Sequence, residues 1–212
     1  DVGCGTGVFL LRVVERCETL GKGIDMDEAA IQAARELARE RGIAERVEFE
    51  QVEIAAANIA EKSFDVGICI GATHAFAMGE PAYRETLIGM SRMVREGGRL
   101  LIGEGYWKQP PATEYLEFLG EPAGVYTDHQ GLIAMAESMR LTPMSAMTAN
   151  QDEWDEFEWR HHRHVLKAAE KLRANERDER RQRAVAWRNA YLKWGRDTMG
   201  FGYYLFQNTA AT

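Results

Sequence analysis

The side chains with most chemistry to offer fall in four places: Asp1-Val2-Gly3-Cys4-Gly5-Thr6-Gly7, the acid Asp25, the turn Gly71-Ala72-Thr73-His74, and the run Glu104-Gly105-Tyr106-Trp107. Three glycines at alternate positions follow an extended Asp1-Val2 and run straight into an apolar stretch, residues 8–14. That pattern describes a strand-to-helix turn stripped of side chains, where a ligand lies against backbone. The dinucleotide fingerprint places a third glycine where Val8 stands here. Asp1, a carboxylate just ahead of the glycines, repels a pyrophosphate and suits a ligand carrying an ammonium or sulfonium group. Asp25, about 20 residues beyond the glycines, is placed to accept hydrogen bonds from both hydroxyls of a ribose. Asp27 can cap the helix that follows, which leaves Asp25 for that task.

His74 follows an apolar strand and could take a proton from a nucleophile or hydrogen-bond a substrate, although a lone loop histidine is more often structural. Glu104, Tyr106 and Trp107 leave the next strand, and an acid, a phenol and an indole there are the materials of a pocket for a small polar or cationic substrate. Packing is the competing role for the two aromatics, while Glu104 at the strand's end faces a cleft.

The elements that must position these groups alternate between strand and helix. Val8, Leu11 and Val14, with Phe9, Leu10 and Val13, predict a helix packed flat on a sheet. A short strand ends at Asp25, and Asp27-Glu28 opens a helix with core face Ala30, Ala34, Leu37 and Ala38, stopped by Gly42. Residues 47–50 alternate as a strand, and 66–70 form a near-continuous apolar strand expected to be buried on both faces. Pro81 opens a helix with face Tyr83, Leu87, Met90 and Val94, ended by Glu96-Gly97-Gly98, before a strand over 99–104. Helices are expected at 113–119 and 128–139, and strands at 141–149 and 201–206. Between the last two strands, Trp154, Phe157, His161, Val165, Ala168 and Leu172 follow helical spacing, as do Ala184, Trp187, Tyr191 and Trp194 after a break near Asn175. Trp154, Trp159 and Trp187 read as the core of this inserted pair, which would cover a pocket or meet a second subunit in a homodimer.

The opening heptapeptide, in this β-α order, resembles the first motif of the class I S-adenosylmethionine-dependent methyltransferases, and the downstream residues agree in order and spacing. The resemblance implies a Rossmann-like doubly wound α/β fold with a seven-stranded sheet. The chain would then be one domain over 1–212, starting at the end of its central first strand, with a helical insertion at about 151–198. It also implies S-adenosyl-L-methionine as cofactor. Asp1, Gly3, Gly5 and Gly7 would form its turn, and Asp25 would hold the ribose with Met26 against the adenine. Glu53, where the family usually has Asp, would take the adenine amino group, the Ile54 N–H a ring nitrogen, and Gly71 would admit the methionine portion. Residues 104–111 are similar to a Gly-Glu-Pro-Tyr-Trp segment of an uncharacterised bacterial subgroup, with Gly105 in place of proline, which predicts a looser loop. The family closes its sheet with an antiparallel hairpin, here interrupted by the inserted helices.

The expected reaction is methyl transfer to a small-molecule acceptor, with His74, Glu104 and Tyr106 as candidate catalytic residues. A sulfonium methyl needs little beyond an acceptor held in line and dry. Gly71-Ala72-Thr73-His74 replaces the Asn/Asp-Pro-Pro-aromatic motif of nucleic-acid amino-methyltransferases, and Cys4, Cys17 and Cys69 do not make a convergent thiol set for an arsenite-type enzyme. Two rivals stand: a non-catalytic domain binding adenosylmethionine or adenosylhomocysteine, and a nicotinamide-dependent oxidoreductase.

The totals agree with this reading. A chain of 212 residues, 45% hydrophobic and 28% charged, can bury one substantial core. Its net charge of -7 disfavours nucleic acid and anionic membrane as partners. Three cysteines without metal-ligand spacing, no apolar run long enough to span a bilayer and no signal-like opening point to the cytoplasm. The cluster His161-His162-Arg163-His164 lacks a completing cysteine or carboxylate, so no metal is expected. Arginines 177, 180, 181 and 183 alternate with acids as on a solvated helix.

Overall fold

The computed structural model describes residues 1–209, which divide into two compact units. The first comprises 1–104, 132–146 and the chain from Tyr203 onward; the second comprises 105–131 and 147–202.

In the first unit, β1 (Gly21–Asp25) pairs parallel to β2 (Val47–Gln51), and β3 (Phe64–Ile70) pairs parallel to β4 (Val94–Trp107). With β5 (Leu141–Thr148) and β6 (Met199–Asn208), the second sheet has the order β3-β4-β6-β5. Asp1 and Val2 join the two sheets. Val2 N donates to Ile68 O (2.8 Å) on one side, while Ile24 N donates to Asp1 O (2.9 Å) and Gly3 N to Ile24 O (2.8 Å) on the other. Asp1-Val2 therefore holds the central place between β1 and β3 that the glycine motif required. Asn208 Nδ2 reaches Val94 O (2.7 Å) while Lys108 N reaches Thr198 O (2.8 Å), so β6 runs antiparallel to β4. Ala149 N pairs with Phe201 O and Thr209 Oγ1 with Arg140 O, so β5 and β6 are the expected antiparallel neighbours despite the chain inserted between them.

The first unit also holds α1 (Val8–Cys17), α2 (Glu28–Glu40), α3 (Ala82–Met93) and, from Leu132 onward, the greater part of a further helix. Asp27 caps α2, accepting from Ala29 N (2.8 Å) and Ala30 N (3.2 Å), and Gly42 (φ 68°) turns the chain away just beyond it. Leu10, Leu11 and Val14 of α1 pack with Ile31, Ala34 and Ala38 of α2 and with Phe49 of β2. Val8 and Phe9 are exposed, so the buried stripe of α1 is narrower than its composition suggests. On α2, Ile31 joins Ala34 and Ala38 in the core, whereas Ala30 and Leu37 are only partly covered.

Two strand expectations need correction. Val94 is buried as predicted, but it opens β4: the strand starts directly after α3, and Glu96-Gly97-Gly98 forms an irregularity within it that shifts the register between Phe64 and Val66. In β3, Ile68 and Cys69 are buried but Val66 is exposed, because it lies upstream of the Val2–Ile68 pairing.

The second unit contains α4 (Thr113–Leu119), the start of α5 (His129–Ser138), α6 (Gln151–Ala169) and α7 (Ala174–Ala190), which ends in a π-helical turn at Tyr191–Gly195. Asn150 and Glu153 form a reciprocal capping box at the start of α6. Ala184 and Tyr191 are buried as expected, but the predicted inner face of α6 is displaced. His162 and Ala169 are buried in α6, whereas His161 and Phe157 are exposed. Trp159 and Trp187 are also too exposed to be a core. α6 carries large side chains all round, and its inner face is chosen by α7 rather than by its own stripe.

Asp155 ties α6 to the chain after α7. It accepts from Tyr191 Oη and from Arg196 Nε (3.0 Å) and Nη2 (2.9 Å), and chiefly through Arg196 its carboxyl falls to about 2. A carboxyl lowered by folding stabilises the fold above its unfolded value and loses that contribution as pH falls through the folded one. The wild-type thermal midpoint should therefore fall more steeply from pH 4 to pH 2 than that of Asp155→Asn, and the two should run parallel above pH 5. Equal slopes below pH 4 would remove Asp155 from the account.

Candidate functional site

The glycine turn is built as the sequence demands. Gly3, Gly5 and Gly7 have φ of 67°, 51° and 69°, a region open to glycine at no cost. A Cβ at Gly3 would lie 2.2 Å from Ala72 Cβ, and one at Gly7 would lie 2.6 Å from Phe49 Cζ, so both glycines are needed for packing. Gly5 differs: a Cβ there would meet no atom within 4 Å, so its backbone faces open space. No side chain caps α1, which leaves first-turn N–H groups available to an anionic or polar ligand group.

Asp25 is brought directly onto this turn. Its Oδ2 accepts from Gly5 N (2.8 Å) and its Oδ1 from Asp27 N (2.9 Å). A carboxylate offers about four acceptor directions, so two remain after these bonds. Next to it, Met26 is 66% exposed. Asp25 O accepts from Val52 N (3.1 Å), which sets Glu53 and Ile54 beside Asp25, where Glu53 is exposed and opens a short turn over Ile54–Ala56. Gly71 (φ 66°) is exposed, and its N–H donates to Gly103 O (2.9 Å) beside Glu104. Asp1, Asp25, Glu53 and Gly71 thus lie at or just past the carboxyl ends of strands, where open α/β sheets bind ligands, whereas Glu104, expected at a strand's end, is buried inside β4, which runs on to Trp107.

The three candidate catalytic residues are placed differently. His74 lies exposed in a short turn, Thr73–Ala75, braced by Thr86 Oγ1 of α3 donating to Thr73 O (3.4 Å). Glu104 is 7% exposed, and its field helps raise both the Cys69 thiol, which burial above all pushes up to about 12, and the Tyr83 phenol, raised mainly by burial. Tyr83 Oη is buried without a hydrogen-bond partner among the described residues. Tyr106 belongs to the second unit, half-buried, its ring 5.3 Å from that of His129 and packed over Gly200. His129 was missed in the sequence, where nothing but its place at a helix start marked it.

Trp107 resolves to packing: its ring meets Tyr126 and Tyr115 edge-on, and its Nε1 donates to Ala123 O (3.1 Å). Gly105 is part of a strand rather than a loose loop, and a Cβ there would crowd Met199 (2.9 Å) and Tyr126 (3.1 Å). Their neighbours Tyr115, Tyr126 and Met199 line, within the second unit, a cavity of about 290 Å³ whose walls also include Trp154, Phe157, Trp187 and Tyr191. No run of residues in the sequence signalled it.

A glycine turn coupled to an acid at the tip of the next parallel strand defines a nucleoside-binding α/β domain of the methyltransferase type. The chain belongs to the methyltransferase domain family, whose model matches residues 1–169. It is 33% identical over 163 residues to the uncharacterised protein YjhP of Escherichia coli, covering 74% of this chain and 62% of that one. Its structure is similar to the crystal structure of YjhP (TM-score 0.84, 27% identity, 98% of this chain and 84% of that one). It is also similar to a SAM-dependent methyltransferase from Geobacter sulfurreducens solved in complex with S-adenosyl-L-homocysteine (TM-score 0.82, 26% identity, 98% and 82%). The chain spans about three fifths or less of the length of the curated relatives it matches. Among the described residues no helix is long and apolar enough to cross a membrane.

Proposed function

We propose that this chain binds S-adenosyl-L-methionine and transfers its methyl group to a small-molecule acceptor. The observation that carries the reading is the Asp25–Gly5 hydrogen bond, which sets a carboxylate with spare acceptor directions against an open backbone. In this reading Gly5 and the first turn of α1 receive the amino-acid portion, and Asp25 holds the two ribose hydroxyls. Met26 covers one adenine face, Glu53 takes the exocyclic amine and Ile54 N–H a ring nitrogen. Asp1 contributes negative potential toward a cationic ligand, and Gly71 leaves room beside Glu104. The cofactor, when bound, supplies an electrophilic methyl on a positively charged sulfur. What remains for the protein is to orient the acceptor and exclude water. Where the acceptor must lose a proton, the exposed His74 and the buried Glu104 are the candidate groups of the first unit and Tyr106 that of the second.

Calorimetry with S-adenosylhomocysteine and NADH tests the ligand class: tight binding of the first and none of the second is expected, and preference for NADH would overturn the reading. Incubating the protein with a metabolite pool and isotopically labelled methyl donor tests turnover. A labelled small molecule is expected. A cofactor-loaded full-length protein that labels nothing would point instead to a binding domain without catalysis.

A further inference from the structure

The cavity of the second unit carries a chemical bias that methyl transfer does not explain. Seven of its thirteen lining residues are aromatic, two are carboxylates, Glu121 and Glu158, and none is a lysine or arginine. Glu158 stands among the rings: Trp187 Nε1 donates to its Oε2 (2.9 Å), and its charge reaches both the Tyr115 and the Tyr191 phenols. Burial raises the Glu158 carboxyl above its usual range, against the opposing Trp187 hydrogen bond and the nearby His161. Among the described residues no lysine or arginine forms an ion pair with it, while the acid one turn earlier, Asp155, is fully engaged by Arg196. A partly desolvated carboxylate inside an aromatic wall without a lysine or arginine partner favours a cation, and ring faces add their own attraction for one. Phe157 and Trp187 are exposed and Trp154 stacks on Phe157 (5.4 Å), so aromatic surface is presented at the cavity's border.

We infer that this cavity is a binding site for a hydrophobic organic cation, a quaternary ammonium or protonated arylalkylamine, held by the rings with Glu158 as its counter-ion. About 290 Å³ accommodates a molecule the size of benzyltrimethylammonium. The inference stands on the second unit alone and does not require that the cation be the methyl acceptor.

The test is tryptophan fluorescence titration of the full chain with benzyltrimethylammonium, its neutral carbon isostere 2,2-dimethylpropylbenzene, and phenylacetate. The cation should bind at least tenfold tighter than either comparator. Glu158→Gln, checked for an unchanged thermal midpoint, should lose at least fivefold in affinity for the cation while leaving the neutral compound unchanged. Trp187→Leu should weaken both. Equal binding of all three probes, no binding of the cation, or a Glu158→Gln variant that binds it as well as wild type would overturn the inference. S-adenosylhomocysteine calorimetry on the same samples reports separately on the first unit, so failure of the cofactor reading and failure of the cation site are distinguishable.

Discussion

Gly3→Ala is expected to lower stability by about 2 to 5 kcal/mol, the sum of left-handed backbone strain and forced overpacking. The second contribution is specific, because the new Cβ would fall 2.2 Å from Ala72 Cβ, and the φ of 67° prevents it from swinging clear. For a chain of this size that corresponds to a drop in thermal midpoint on the order of 10 °C. Against a typical total stability of about 5 to 15 kcal/mol, part of the population would be unfolded at 37 °C. Gly5→Ala separates folding from binding. A Cβ there touches nothing, so only strain of about 1 to 2 kcal/mol is expected. Yet this is the open backbone assigned to the ligand, and affinity for S-adenosylhomocysteine should fall at least tenfold in a protein that still melts cooperatively. Wild-type affinity in Gly5→Ala would move the cofactor away from the turn.

Asp25→Ala should weaken S-adenosylhomocysteine binding by about 1 to 3 kcal/mol through lost charge-assisted bonds to the ribose, a factor of about 5 to 150 in Kd. It also strips Gly5 N and Asp27 N of their acceptor, so the glycine turn loosens and some stability goes with it. Asp25→Asn keeps one acceptor oxygen and the side-chain shape. It should retain most of the thermal midpoint while still losing affinity, because an amide cannot serve two ribose hydroxyls and two backbone donors at once. Calorimetry and melting on both variants decide the matter: affinity that survives in both removes Asp25 from the site.

The glycine turn and the carboxylate bonded to it were legible because their determinants are local. Alternate glycines before an apolar helix, an acid capping α2 and another just ahead of it are short-range features, and a parallel β-α-β path carries Asp25 to the glycine turn without help from distant residues. The aromatic cavity is the opposite case. Tyr115, Tyr126, Trp154, Trp187 and Tyr191 come from separate helices and turns, and each has an ordinary packing role when read alone. The same holds for α6, where a one-residue rotation of the inner face exchanges His161 for His162, a choice made by the neighbouring helix.

By itself, then, the amino-acid order determined the α/β alternation, the bare turn and the carboxylate that meets it, since backbone strain, helix capping and hydrophobic period act over a few residues. Only tertiary structure decided that Gly3 must be bare to clear Ala72, that Gly105 is a packing glycine, that Tyr106 meets His129, and that Glu158 is surrounded by rings. Those outcomes depend on burial and close approach between segments far apart in the chain, and no local pattern encodes which surfaces will meet.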